Sequence, residues 1–284
     1  MDHFAATELS ITFQRPGYAG GFDHLFTQVW PVFTRMPEFM AQSEYKNPSD
    51  LSQSPWQFGK QTDQAFFPWL MAHPKEASGF NSLMSAWHEL QTLSWVNVYP
   101  VSRLTGGTSF HGSKPLVVDV GGGIGQDMEN LRRKMLPAQH ELVVQDLPAV
   151  VAQGEKALPA LRFMSHDFFE EQPIRGARAY FMHSVLHDWP DAEARTILAR
   201  QREAFQPAFS KLLLCENIMP ERAALPLGGA LDLVMMGLLC SQERTEAQWR
   251  ALLASAGFRV GAIWGSPKYG QCVIEAEPLP ESKI

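Results

Sequence analysis

The segment Ser184-Val-Leu-His-Asp-Trp-Pro-Asp191 puts an imidazole after an apolar run and just ahead of a helix start signal. A neutral imidazole so placed can accept a proton from a bound hydroxyl, which makes His187 a candidate general base. The positive end of the following helix disfavours an imidazolium, so the ring is expected to be neutral. Asp188 and Asp191 read as a capping pair, with Pro190 tolerated in the first turn, and for Asp188 the cap is the preferred reading. His183 precedes His187 by four residues. A strand-to-loop segment does not give both rings one helical face, so no metal is expected here.

A second group of residues suits a nucleoside carrying an amino acid. Val118-Asp-Val-Gly-Gly-Gly-Ile-Gly125 ends a strand and opens a helix. Its glycines permit positive φ and close backbone approach, and the helix N-terminus favours an anionic group. A dinucleotide fingerprint needs a glycine where Gln126 stands, so that fit fails. The G-x-G-x-G spacing behind Asp119 leaves loop amides for a carboxylate and an acid for an ammonium. A tight turn with no ligand is the alternative. Asp146 follows the second strand about twenty residues later, where an acid accepts hydrogen bonds from ribose hydroxyls; a cap before Pro148 is its alternative. Asp167 and Phe168 follow the third strand. A carboxylate and a ring there bind an adenine amino group and stack on the base; a cap beside a core Phe is the alternative. Together the three acidic positions indicate S-adenosylmethionine.

The elements that must position these residues follow from hydrophobic pattern. Residues 1–110 read as helices broken by turn signals. From Lys114 onward short β-branched runs alternate with helical stretches: Leu116–Val120, Glu141–Gln145, Leu161–Ser165, Ala179–Met182 and Lys211–Asn217 are strands. Asp191–Phe205 and Thr245–Ala256 are helices. Phe258–Trp264 and Gln271–Glu277 are joined by a link too short for a crossover helix, so one of them runs antiparallel. The expectation is an α/β, Rossmann-like, doubly wound, mostly parallel seven-stranded sheet with an antiparallel end strand, preceded by a helical segment.

Bulk properties limit the partners. The chain has 284 residues, 45% hydrophobic and 19% charged, enough for a sizeable core. Its net charge of −6 argues against nucleic acid and anionic membranes. No apolar run reaches a membrane span. Three dispersed cysteines, Cys215, Cys240 and Cys272, point to a reducing, cytoplasmic setting rather than a disulfide framework. The Met, Trp and Phe content suggests a cleft for a flat apolar ligand, with ordinary core packing as the alternative.

From about Pro55 to Ala276 the chain resembles the plant-type, caffeate-like family of S-adenosylmethionine-dependent O-methyltransferases, in its fungal branch. The residues that carry this are "LVVDVGGGIG", "VVQDLPAVV", "HDFFEEQP", "FMHSVLHDWPD", "LLLCENIMP" and "SQERTEAQWRALLASAGF". The resemblance puts the catalytic base on His187 and its two flanking carboxylates on Glu216 and Glu243. It puts cofactor contacts on Asp119, Gly121, Gly123, Asp146, Asp167, Phe168 and Ser184, and substrate contacts near Phe80, Met84 and Met235. Ordinary core packing is an equal reading for those last three. The implied substrate is a small aromatic or polyketide-like secondary metabolite bearing a hydroxyl.

Two departures from the family follow. Its members carry an N-terminal winged-helix domain that builds a dimer, and residues 1–55 resemble only a remnant of it. Residues 56–110 then form a helical substrate-pocket segment and 111–284 the cofactor-binding domain, with a homodimer or a partner chain supplying what is missing. His183 stands where plant relatives often have a lysine beside the adenine. Two rival functions share the motifs. One is a pericyclase or dehydratase that uses the bound sulfonium without methyl transfer. The other is a non-catalytic partner subunit.

Overall fold

Alternating apolar side chains send successive residues of each strand to opposite faces, so both faces of a buried sheet need a cover. A computed structural model describes residues 4–90, 94–106, 114–136, 140–266 and 271–280. The chain forms two compact units, one of residues 1–92 with 230–242, the other of 93–229 with 243–284.

The second unit holds the sheet. Its strands are β1 (Val117–Val120), β2 (Leu142–Asp146), β3 (Arg162–Ser165), β4 (Ala179–His183), β5 (Lys211–Asn217), β6 (Phe258–Trp264) and β7 (Gln271–Pro278). They lie in the order β3-β2-β1-β4-β5-β7-β6. β1 to β5 are mutually parallel, and β7 runs antiparallel to both β5 and β6. The expected fold class therefore holds, and the antiparallel strand is the last in the chain, inserted between β5 and β6.

The two faces follow the strand alternation. Val118, Val120, Tyr180, Met182, Leu212 and Leu214 pack with Ile197 and Leu198 of helix Asp191–Glu203 and with Trp249 and Leu253 of helix Glu246–Ser255. Val117, Val144, Phe181, Leu213 and Cys215 pack instead with Trp95 and with Met128 and Leu131 of helix Gln126–Met135. Strand order reverses between β1 and β4, so a crevice opens at their carboxyl ends.

The first unit is helical. Trp56, Phe66, Leu70, Met235, Leu238 and Leu239 form its core, with Phe80 packed against them. Pro16–His24 and Trp30–Gln42 are joined by a π-helical turn, Leu25–Val29. Phe4, Phe13, Phe26 and Trp30 are exposed. All three cysteines are buried. Among the described residues no helix is long and apolar enough to cross a membrane.

One buried carboxylate ties the sheet to the segment before it. Glu275 in β7 accepts from Tyr99 Oη at 2.9 Å and from Arg103 at 2.7 and 3.0 Å, and also pairs with Lys211. Burial would raise its pKa, but the hydrogen bonds from Arg103, Lys211 and Tyr99 outweigh burial and pull it down to about 2. A depressed carboxylate stabilises the fold above its unfolded pKa and loses that contribution as pH falls through the folded one. Glu275→Ala is expected to cost about 3–5 kcal/mol in urea unfolding at neutral pH. The deficit relative to wild type should shrink as pH is lowered from about 4.5 toward 2.

Candidate active site

The parallel strands deliver their following loops to one sheet edge. The glycine loop leaves β1, Asp146 ends β2, Asp167 follows β3 and the His187 turn follows β4.

Asp119 is 1% exposed, and neither carboxylate oxygen has a hydrogen-bond partner among the described residues. Burial raises its pKa well above the usual range, the Asp127 charge adds to this and the His183 charge opposes it. Strand alternation explains the grouping: Asp119 and His183 face the helix whose first turn carries Asp127. A Cβ at Gly122 would lie 2.4 Å from Asp119 Oδ2, so only glycine fits there. A Cβ at Gly123, which has φ +59°, would meet nothing within 4 Å, so open space lies beside the loop.

Gly123 N–H donates to Asp146 Oδ2 at 2.8 Å, and Leu147 N–H donates to Asp146 Oδ1 at 2.7 Å. Burial raises the Asp146 pKa against these two bonds. Phe168 lies near the glycine loop, 3.7 Å from where a Gly121 Cβ would be, and packs edge-on to Trp189 at 5.9 Å. Asp167 is exposed and accepts from Phe169 N–H at 3.0 Å. Ser184 has φ +52°, a strained value for a residue with a side chain, and its Oγ accepts from Gln271 Nε2 at 3.0 Å. His183 Nδ1 lies 2.6 Å from Asp127 Oδ2 and its Nε2 lies 2.8 Å from Gln271 Oε1.

His187 sits on the 3-10 turn Leu186–Asp188 and is 8% exposed. Its Nδ1 is 2.7 Å from Glu243 Oε1, and the Glu243 side chain is fully buried. Glu243 is not a cap, because Thr245 caps the next helix in a box with Gln248. A carboxylate on Nδ1 holds a proton there and leaves Nε2 as the basic nitrogen. Glu216, also buried, meets the backbone of the segment just before His187: Oε1 accepts from Val185 N–H at 3.2 Å and Leu186 N–H at 3.0 Å.

Two expectations need correction. Asp188 does not cap the following helix, whose N-cap is Pro190 with no side-chain hydrogen bond. Its Oδ1 instead lies 3.4 Å from His187 Nε2. Nor is the ring held neutral by the helix end. Burial would lower its pKa, but the Asp188 charge, the Glu243 hydrogen bond and the charges of Glu216 and Glu243 prevail and push it up to about 10. Glu243 Oε1 at 2.7 Å and Asp188 Oδ1 at 3.4 Å lie in direct reach of the ring, where attraction between opposite charges is strong. Burial pushes Asp188 itself up to about 7, with the His187 charge pulling the other way.

Phe80, Met84 and Met235 belong to the first unit. Phe80 packs edge-on to Phe66 at 5.5 Å, Met235 is 8% exposed and Met84 is 41% exposed. Arg244, buried beside Glu243, was missed by the sequence reading, as was the charge role of Asp188. Arg244 gave a weak signal through its place in "QERT", but burial of a guanidinium is not visible in composition.

The O-methyltransferase domain family matches residues 56–259. O-methyltransferase mfmE of Annulohypoxylon moriforme is 42% identical over 274 residues, 96% of this chain and 67% of that protein. The chain belongs to the O-methyltransferase domain family. A second member, O-methyltransferase lepI of Aspergillus flavus, is 31% identical over 263 residues, 92% of this chain and 67% of that protein. This O-methyltransferase-family chain thus spans about two thirds of the length of those relatives. Its fold matches the structure of LepI in complex with SAM at a TM-score of 0.89 and 30% identity, over 96% of this chain and 70% of that one. A structure described as a pericyclic reaction enzyme matches at a TM-score of 0.90, 30% identity and the same coverage.

The carboxylate cluster makes a titration testable without substrate. Asp188→Asn removes a negative charge, so the His187 pKa should fall by at least about one pH unit in a histidine-labelled NMR titration. An unchanged value would remove Asp188 from the electrostatics of the ring.

Proposed function

We propose that this protein is an S-adenosylmethionine-dependent O-methyltransferase acting on a hydroxyl of a small aromatic or polyketide-like metabolite, with His187 as general base. The single observation that carries the reading is the His187–Glu243 pair at 2.7 Å on a turn at the cofactor edge of the sheet.

The residues present fit the cofactor. Among the described residues the Asp119 carboxylate has no donor, a place an α-ammonium would fill, and open space lies beside Gly123. Asp119 with the glycine loop at Gly121 and Gly123 would hold the amino-acid end, Asp146 the ribose, and Asp167 and Phe168 the adenine; Ser184 adds a contact. S-adenosylmethionine, when bound, supplies a methyl group on a sulfonium, and transfer of that methyl to oxygen leaves S-adenosylhomocysteine. Met235, Phe80 and Met84 would contribute apolar surface to the substrate.

The chain's own task is to manage the hydroxyl proton. A phenol has a pKa near 10, and the carboxylates around His187 raise the affinity of its ring for that proton. His187 Nε2 takes the proton as oxygen bonds to carbon, and Glu243 holds Nδ1–H and stabilises the resulting imidazolium. Most of the remaining acceleration is alignment of oxygen, carbon and sulfur. The unprotonated base exists above its pKa, so the raised value shifts the rising limb of the pH–rate profile to alkaline pH. The exposed apolar side chains of residues 4–30 suit a partner surface, either a second copy or another chain.

A second reading has a specific basis in the match to a pericyclic reaction enzyme. Product analysis separates the two. With a hydroxylated aromatic acceptor, wild type should form S-adenosylhomocysteine and methyl ether in equal amounts. His187→Gln should lose turnover while retaining cofactor affinity in calorimetry. Cofactor-dependent conversion of an acceptor with no S-adenosylhomocysteine formed would favour the second reading. A fully active His187→Gln would remove the ring from the mechanism.

A further inference from the structure

The turn that carries His187 is gripped from two sides by buried charged groups. On its amide side, Glu216 Oε1 accepts from both Val185 and Leu186. On its carbonyl side, Arg244 Nη1 donates to Leu186 O at 2.8 Å and Nη2 donates to Trp189 O at 2.8 Å. Arg244 Nε and Nη2 also donate to Asp191 Oδ1 at 3.0 and 2.8 Å. The Arg244 side chain is 0% exposed. The three acceptor groups lie before, after and beyond the base, so one planar fork spans the whole turn.

Arg244 is itself fixed. Its carbonyl accepts from Met219 N–H at 2.9 Å, and its guanidinium lies 5.1 Å from the Trp249 ring. Trp249 Nε1 in turn donates to Asn217 O at 3.1 Å. Glu243 and Arg244 are adjacent, so one backbone segment presents both the acceptor for His187 Nδ1 and the clamp on its turn. Apolar side chains of similar volume often stabilise a core as well as a buried ion pair does. The specific return from burying a guanidinium here is directional: five N–H donors in a rigid fork set where the turn lies.

We propose that Arg244, with Glu216 as its counterpart on the amide side, is a positioning residue that fixes the direction of His187. It rests on the reading of His187 as base, but its consequences are visible without turnover. The clamp keeps Nδ1 against Glu243 and Nε2 pointed at one place, while the four Arg244 side-chain bonds go to Leu186, Trp189 and Asp191 and to none of the residues assigned to the cofactor. Lysine cannot span these acceptors, so Arg244→Lys should behave like Arg244→Met and not like wild type.

The test uses the full chain in three variants: Arg244→Met, Arg244→Lys and Asp191→Ala. Asp191 is half-exposed and accepts two of the four Arg244 bonds, so that variant loosens the fork with the least risk to folding. Two readouts are taken. The first is the downfield Nδ1–H proton resonance of His187, assigned by its absence in His187→Gln. The second is kcat beside cofactor affinity. Loss of alignment should lower kcat about tenfold to a hundredfold in both Arg244 variants, and severalfold in Asp191→Ala, at unchanged cofactor Kd. The Nδ1–H resonance should broaden or vanish in the same variants. A folded Arg244 variant, or Asp191→Ala, with wild-type kcat and an unchanged resonance would overturn the clamp and leave the methyltransferase reading standing. Wild type that makes no methylated product would instead overturn that reading, and the resonance alone would still decide the clamp.

Discussion

A single short hydrogen bond between His187 Nδ1 and Glu243 Oε1, made away from water, sets the character of the site. In water such a pair would be weak, because both groups are well solvated apart. In a low-dielectric setting it decides which nitrogen carries the proton and which one faces the reactant. The fold meets that requirement by bringing a turn after β4 against a segment some fifty residues later in the chain. Asp188 and Glu216 add negative charge around the ring. Their charges make the imidazole a stronger base than it would be in solution, while burial raises their own pKa values and the His187 charge pulls them back.

The glycine loop and the base occupy the two sides of the point where strand order reverses. That placement follows from topology: β1 and β4 are neighbours, and both run the same way. Their carboxyl ends therefore meet at one edge. The same arrangement isolates a second buried charge group beneath the glycine loop. Asp119 and Asp127 are both acids in a poorly solvated place, and His183, whose pKa is raised by the charges around it in spite of burial, offsets them. Both histidines thus lie among acids, His183 beside Asp127 under the glycine loop and His187 beside Asp188 and Glu243 on the turn after β4. Similar residue types thus receive different tasks from their surroundings.

Family membership and the pericyclic match bear on different levels. Family and fold rest on the whole sheet and its motifs. The reaction rests on a handful of side chains at one edge, and a shared fold does not settle those. In this chain the edge retains an imidazole, its carboxylate partner and an acid-lined glycine loop. That set is suited to moving a proton from a hydroxyl next to a positively charged donor.

Strand and helix alternation, the short link before β7, the glycine loop and the acids after three successive strands were legible in the sequence, because they depend on local pattern and on spacing along the chain. Asp119, Asp146, His187 and Glu243 could be named on the same basis together with the family resemblance. What tertiary structure alone decided was which charges are neighbours. Asp188 looked like a cap because Asp-x-x-Asp before a helix has that local pattern; folding instead turned it toward the ring. The neutral imidazole expected from the helix end gave way to one raised by three carboxylates, two of them distant in sequence. Arg244 carried only the weak signal of its place in "QERT", since a guanidinium's burial and its three acceptors exist only once the His187 turn and that segment converge. Local sequence specifies backbone geometry and residue type, whereas electrostatics depends on distance in space and on the exclusion of water, and both arise only on folding.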